Sequence, residues 1–342
     1  MKKRLEGVKL GTLVLFVITF AFLFVRLIYA TEVVTLKFGT PFSPDHTFSR
    51  IDQKWIEKIE QESGGKLKIR PFWGGTIITG ASTVDQLASG VVDVAHVAIH
   101  MEKTGFDFAR SSILFFWKFE PQKAYEVFKS VMLKNPYIER EYRERGIKVI
   151  AWTSTTFYQL ITKKPVRKLS DLKGMRLRVL GPMGEILKDF GVESVALPAS
   201  EIYEGLAKGV IEGLYLPAES LKTMRVAEVA KYCTMINIGQ GPNAARAINL
   251  ATYEKLPEEL KTVLDKNIDF WTLESIKAFT ESDQVGISFG KEQGVEFITM
   301  PKEELSRLAE AIEKYNMKII ENLEAKKIPA KKIYNDIVTL AK

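Results

Sequence analysis

From Phe48 to Ile59 the apolar residues Phe48, Ile51, Trp55 and Ile59 recur every third or fourth position, which predicts an amphipathic helix closed by Gly64-Gly65. The β-branched and aromatic run "EVVTLKFGTPF" before it and the alternating "KLKIRPF" after it predict strands. "STVDQLASG" then places Val84, Leu87 and Ala88 on one helical face, with Ser82 or Thr83 as N-cap and Gly90 as the stop, and "VVDVAHVAI" follows as an apolar strand. The same unit returns at "IYEGLAKGVIEGL", where Leu206, Gly209, Val210 and Glu212 stand where Leu87, Gly90, Val91 and Asp93 stood. One chain therefore builds a helix-glycine-strand unit twice, once in each half.

Between the copies, "PQKAYEVFKSVMLK" and "NPYIEREYRERG" have helical spacing, and "IKVIAWTS" is a strand suited to cross between domains. "SDLKG" is a capped turn that feeds the strand "MRLRVLG", and "GEILKDFG" is a helix. From Pro257 to about Gln293 the pattern is helical without an internal proline, which predicts a strut spanning domains or a break near Gly286. A strand "VEFITM" and two closing helices complete the chain. Strands alternating with helices predict an α/β fold with parallel sheets. Over 342 residues the expectation is two lobes, 31–153 with about 243–285 and 154–242 with about 286–342, facing a ligand cleft and bridged by the long helix.

Residues 1–30 follow another logic. Lys2, Lys3, Arg4 and Lys9 precede the apolar run Leu10 to Val25, and Ala30 suits cleavage before Thr31, the order of a signal peptide. Ile28 and Arg26 are unusual for such a junction, so retention of the segment as a membrane anchor is the alternative. The segment holds five of the 49 Lys and Arg and one of the 42 acidic residues, which leaves 44 against 41, a net +3 in place of +7. That balance does not call for nucleic acid. Export permits disulfides, but the single cysteine, Cys233 in "AKYCTMI", is expected to be a buried apolar residue.

Enzyme constellations are scarce. The histidines are His46, His96 and His100; the last two have HxxxH spacing, but on a strand such positions are too far apart to chelate a metal readily. No GxSxG, HExxH, Walker loop or dinucleotide fingerprint occurs, so neither a cofactor nor a catalytic role is expected. "DLKGMRLRVLG" is more informative. Arg176 and Arg178 share one strand face, and a guanidinium ending a cleft-facing strand can hold a carboxylate through two parallel hydrogen bonds; two surface arginines are the plainer alternative. Trp73, Phe116, Trp117, Trp152, Phe157, Tyr158 and Tyr215 are the aromatics expected near that cleft.

Five segments in order, "KFGTPFSPDHTFSR", "QLASGVVDVA", "PVRKLSDLKGMRLRV", "ALPASEIYEGLAKGVIEG" and "NLATYEKLPEEL", resemble the DctP-type solute-binding proteins of TRAP (tripartite ATP-independent periplasmic) transporters. The resemblance covers essentially the whole chain after residue 30. It implies a periplasmic, non-enzymatic receptor, expected to be monomeric, that closes two lobes around an organic acid and delivers it to the small and large membrane subunits. It also implies that Arg178 pairs with the ligand carboxylate, while Arg176 stays a surface residue. Many members carry a second arginine where this chain has Tyr158, and an asparagine where it has "LYLP". Tyr158, Tyr215 and Leu216 would give a flatter, more apolar pocket, suited to a monocarboxylate with an apolar or aromatic body. Trp73, Trp152, Phe157 and His96 complete the expected wall. A C4-dicarboxylate, its second acid near solvent or held by Gln240 or Asn243, remains the alternative, as does a membrane-tethered ligand sensor.

Overall fold

The computed structural model describes residues 33–78, 83–99, 102 and 104–340; the predicted leader, the Ser82 cap and His100 lie outside them. The first sheet is formed by β1 (Val34–Gly39), β2 (Leu67–Phe72), β3 (Val94–His96), β4 (Ile147–Thr153) and β10 (Asn243–Asn249), in the order β2-β1-β3-β10-β4. The second holds β5 (Tyr158–Thr162), β6 (Arg176–Arg178), β7 (Glu193–Ser194), β8 (Gly213–Pro217), β9 (Tyr232–Ile238) and β11 (Glu296–Thr299), in the order β11-β9-β5-β8-β6-β7. Apolar clusters cover both faces of each sheet, which is why the strands carry near-continuous Val, Ile and Leu.

The sheets are mixed where the sequence suggested parallel ones. β5 runs antiparallel to β8 and β9, and β10 runs antiparallel to β3 and β4. These are the strands by which the chain enters each sheet from the other. A strand arriving from the opposite lobe starts at the cleft and runs away from it, whereas strands fed by a local helix run toward it. The cleft is thus lined by carboxyl ends of the parallel strands and by the first residues of β5 and β10.

Helix α1 (Thr47–Glu62) buries Ile51, Trp55 and Ile59 on the first sheet. The repeated unit is α2 (Thr83–Ala88) before β3 and α3 (Ile202–Ala207) before β8. Leu87 and Leu206 are buried, and Gly90 and Gly209 take φ of +77° and +73°, a backbone that disfavours any side chain. The two copies make similar bonds, with the carbonyl acceptor one position apart between them. Asp93 Oδ2 accepts the Lys37 N–H (2.7 Å) while Lys37 Nζ donates to the Val91 carbonyl (3.0 Å). Glu212 Oε2 accepts the Arg176 N–H (3.3 Å) while the Arg176 guanidinium donates to the Gly209 carbonyl (2.8 Å). Each acid ties its strand to the parallel neighbour at the end away from the cleft.

Two long helices, not one, cross between the lobes. α4 (Ile268–Glu292) packs on β4 and α1 at its start and on the helix Ser220–Thr223 near its end. It starts after Asn267 rather than running on from Pro257, because the Asn267 side chain bonds the Val263 carbonyl (2.9 Å) and Glu62 (2.7 Å) and closes the preceding helix. Gly286 is not a break. It lies inside α4 where a Cβ would stand 2.3 Å from the Ala218 carbonyl oxygen, so glycine permits contact with the loop after β8. α5 (Lys302–Ala325) puts Leu308 and Ile312 in the second lobe's core and Ile320 and Leu323 in the first's. A helix of this length reaches about 36 Å. It carries α6 (Ala330–Leu340) onto the first lobe, a correction to the expected assignment of the whole C-terminus to the second.

Candidate functional site: a cleft between two sheets

Arg178 ends β6 with Leu177 behind it in the core. The residue is 7% exposed and lines the cleft. Nε donates to the Leu197 carbonyl (3.2 Å), and no acidic side chain among the described residues pairs with it. Burial pulls its pKa down to about 10, and the nearby Tyr158 phenol opposes this only in part. Leaving a cation buried without a counter-ion is costly, so the site is arranged for an anion brought from outside. Tyr158, first in β5, and Tyr215 on β8 line the cleft with it, their tilted rings 4.8 Å apart, and burial raises both phenols.

The first lobe supplies an aromatic wall. Phe42 stacks on His46 at 4.1 Å, and Phe48 lies 4.7 Å from Phe279 of α4. His46 caps α1: its Nδ1 accepts the Phe48 N–H (3.2 Å). Burial, with Arg246 and Arg50 nearby, pulls its pKa down to about 3, so the ring is neutral and its proton sits on Nε2. That Nε2–H is buried and has no partner among the described residues, a loss of about 1–3 kcal/mol until something accepts it. Across the cleft Glu219 follows β8, 3% exposed, its Oε2 accepting from Thr223 (2.7 Å). Burial, reinforced by Asp283, pushes this carboxyl up to about 7.

A second buried arginine differs from Arg178 in being compensated. Arg246 on β10 is fully buried, donates to both oxygens of Asp52 (2.8 and 2.6 Å) and sits over the rings of Phe38, Phe48 and Trp271. It also meets His96 Nδ1 at 2.6 Å. Because a guanidinium only donates, His96 accepts there and keeps its proton on Nε2.

The profile of the DctP family, described as bacterial extracellular solute-binding protein, family 7, matches residues 38–322. The chain belongs to the DctP family. It is 21% identical over 310 residues, 88% of this chain and 91% of the relative, to the C4-dicarboxylate-binding periplasmic protein DctP of Rhodobacter capsulatus. Two solved structures share the fold at a TM-score of 0.79 and 21% identity. One is a TRAP periplasmic solute-binding protein of Haemophilus influenzae with bound L-gulonate, covering 90% of this chain and 99% of that one. The other is a marine metagenome TRAP solute-binding protein specific for aromatic acid ligands, in complex with metahydroxyphenylacetate, covering 90% and 98%. Members of the DctP family are periplasmic solute-binding proteins rather than enzymes. Among the described residues no helix is long and apolar enough to cross a membrane, and no group of side chains could hold a metal.

Of the residues expected at the DctP-family site, Arg178, Tyr158, His96, Tyr215, Leu216, Gln240 and Asn243 line this cleft. Three do not. Trp152 is buried in the first lobe's core against Phe128 (4.9 Å) and Tyr142 (5.8 Å), since alternation along β4 turns its ring off the cleft. Trp73 follows the edge strand β2, is absent from the lining, and packs edge-on to Phe38. Phe157 immediately precedes β5, and alternation gives the cleft position to its neighbour Tyr158. Phe116 is core, and Trp117 donates to Glu313 of α5 (3.1 Å). Arg176 lies exposed at the far end of β6 on its Gly209 bond. The sequence reading missed Phe42, His46, Phe48, Arg110, Glu219 and Phe279, all in the lining. "SPDHTFSR" and "LYLPAES" contain three of them, His46, Phe48 and Glu219, but neither pattern says which side chain turns inward.

Proposed function

We propose that this DctP-family protein is the extracytoplasmic receptor of a TRAP transporter, which captures an organic acid between its lobes and presents it to the small and large membrane subunits. The observation that carries this reading is Arg178: a buried guanidinium at the cleft end of β6 with no acidic partner. The ligand carboxylate would take its two outer nitrogens in the bidentate geometry that suits Arg. Closure would be a rotation of the first-sheet lobe against the second-sheet lobe about the crossing segments. The carboxylate sits on the second lobe, and Phe42, Phe48 and Phe279 cover its body. Micromolar affinity requires about 8 kcal/mol, which one charge-assisted pair reaches only with an apolar body shielded from water.

The apolar, aromatic lining supports a monocarboxylate with an apolar or aromatic body. A C4-dicarboxylate is the second reading. It draws on Arg110, a guanidinium also in the lining, although that group already donates to the Glu102 carbonyl (2.5 Å). Titration calorimetry with succinate, phenylacetate and 4-methylpentanoate separates them: tight succinate binding with none for the other two would reject the monocarboxylate. Arg178→Ala should abolish detectable binding with the circular dichroism spectrum unchanged, and retained affinity would remove Arg178 from the site.

A further inference from the structure

Thr47, the neighbour of the lining residue His46, and Glu219 are held against consecutive residues of α4, one from each lobe. Thr47 Oγ1, next to His46, meets Ser282 Oγ at 3.2 Å. The Glu219 N–H donates to Asp283 Oδ1 at 2.9 Å. His46 and Glu219 thus flank the same, α4-side end of the cleft, and both belong to its lining. Their chemistry is complementary. His46 offers a buried Nε2–H with no acceptor among the described residues, and Glu219 offers a carboxyl of which only Oε2 is engaged, by Thr223. Phe42 and Phe48 hold the imidazole from both sides of the chain, and the helix cap fixes its Nδ1. The donor is therefore preset rather than free to turn away.

We propose that His46 and Glu219 form a second polar subsite, shared between the lobes, that takes a hydroxyl group on the body of the ligand. This rests on the reading of Arg178 as the carboxylate site and narrows the ligand to a hydroxylated acid. A hydroxyl oxygen accepts from His46 Nε2–H while its hydrogen goes to Glu219, so one group satisfies both walls. A plain hydrocarbon body would leave the imidazole N–H buried and unpaired, which makes the subsite discriminate against the deoxy analogue.

The test is calorimetry with matched acids differing by one hydroxyl: phenylacetate with mandelate and with 3-hydroxyphenylacetate, 4-methylpentanoate with 2-hydroxy-4-methylpentanoate, and succinate with malate. In the wild-type protein at least one hydroxylated member should bind about tenfold tighter than its partner, as expected for one added buried hydrogen bond. His46→Asn, which keeps a good helix cap but draws the donor back, and Glu219→Ala should each bring that pair within twofold. If Glu219→Ala does not fold, Glu219→Gln, which replaces the free acceptor with an amide, serves in its place. Equal binding across every pair, a preference that survives both substitutions, or failure of every acid to bind would overturn the subsite. Arg178→Ala separates the two claims: affinity that persists there, with the His46-dependent preference intact, refutes the carboxylate site and leaves the hydroxyl subsite standing.

Discussion

Replacing Glu219 by Gln should change how stability depends on pH. The carboxyl is 3% exposed and its pKa is raised to about 7 from an ordinary 4.5, by burial first and Asp283 second. A raised acid binds its proton more tightly in the folded state, so its contribution is fully present below about pH 4.5 and is lost as pH climbs through 7. A shift of about 2.5 pH units corresponds to roughly 3 kcal/mol, most of it falling between pH 5 and 8. Gln keeps an oxygen for Thr223 but does not titrate. Urea unfolding of both proteins at pH 5, 6, 7 and 8 supplies the comparison. Other titrating groups are common to the two and cancel in the difference. Wild type should lose about 2.5 kcal/mol relative to Glu219→Gln from pH 5 to pH 8. A difference that stays flat, or grows in the opposite direction, would show that the carboxyl is solvated rather than buried at this end of the cleft.

Asp52→Asn should cost about 3–5 kcal/mol in urea unfolding, because Arg246 would be left fully buried without its counter-charge; a loss below 1 kcal/mol would contradict the pairing. Gly286→Ala should cost about 2 kcal/mol or more, since the new Cβ would stand 2.3 Å from the Ala218 oxygen; an unchanged Tm would mean that α4 and the β8 loop do not touch. Arg176→Ala should leave ligand affinity within twofold in calorimetry, in contrast to Arg178→Ala, because its guanidinium bonds Gly209 away from the cleft. A large affinity loss in Arg176→Ala would return that residue to the site.

The elements were legible where burial and period coincide. α1 shows its apolar stripe, and the two helix-glycine-strand units show their buried leucines and positive-φ glycines. Arg178 was legible too, as the last residue of a strand with Leu177 facing the core. The aromatic wall was not. Trp152 and Phe157 lie in the same polar stretch as Tyr158, yet β4 turns Trp152 into a core while β5 begins with Tyr158 in the cleft. A one-position phase difference decides this, and it is set by neighbouring strands.

Local pattern determined what was covalently near: helices and strands, the repeated helix-glycine-strand unit, and a strand-end arginine fit for a carboxylate. Tertiary structure alone decided the reversal of β5 and β10, the crossing of two helices rather than one, and the return of α6 to the first lobe. It also decided that Arg246 has an acid at hand and Arg178 does not. Asp52 stands 194 positions from Arg246, and Glu219 and Thr47, the neighbour of His46, meet α4 from different lobes. Periodicity reports which way a side chain faces along its own element. Which charge or donor lies opposite is fixed by long-range packing, and that difference separates a structural ion pair from a binding site.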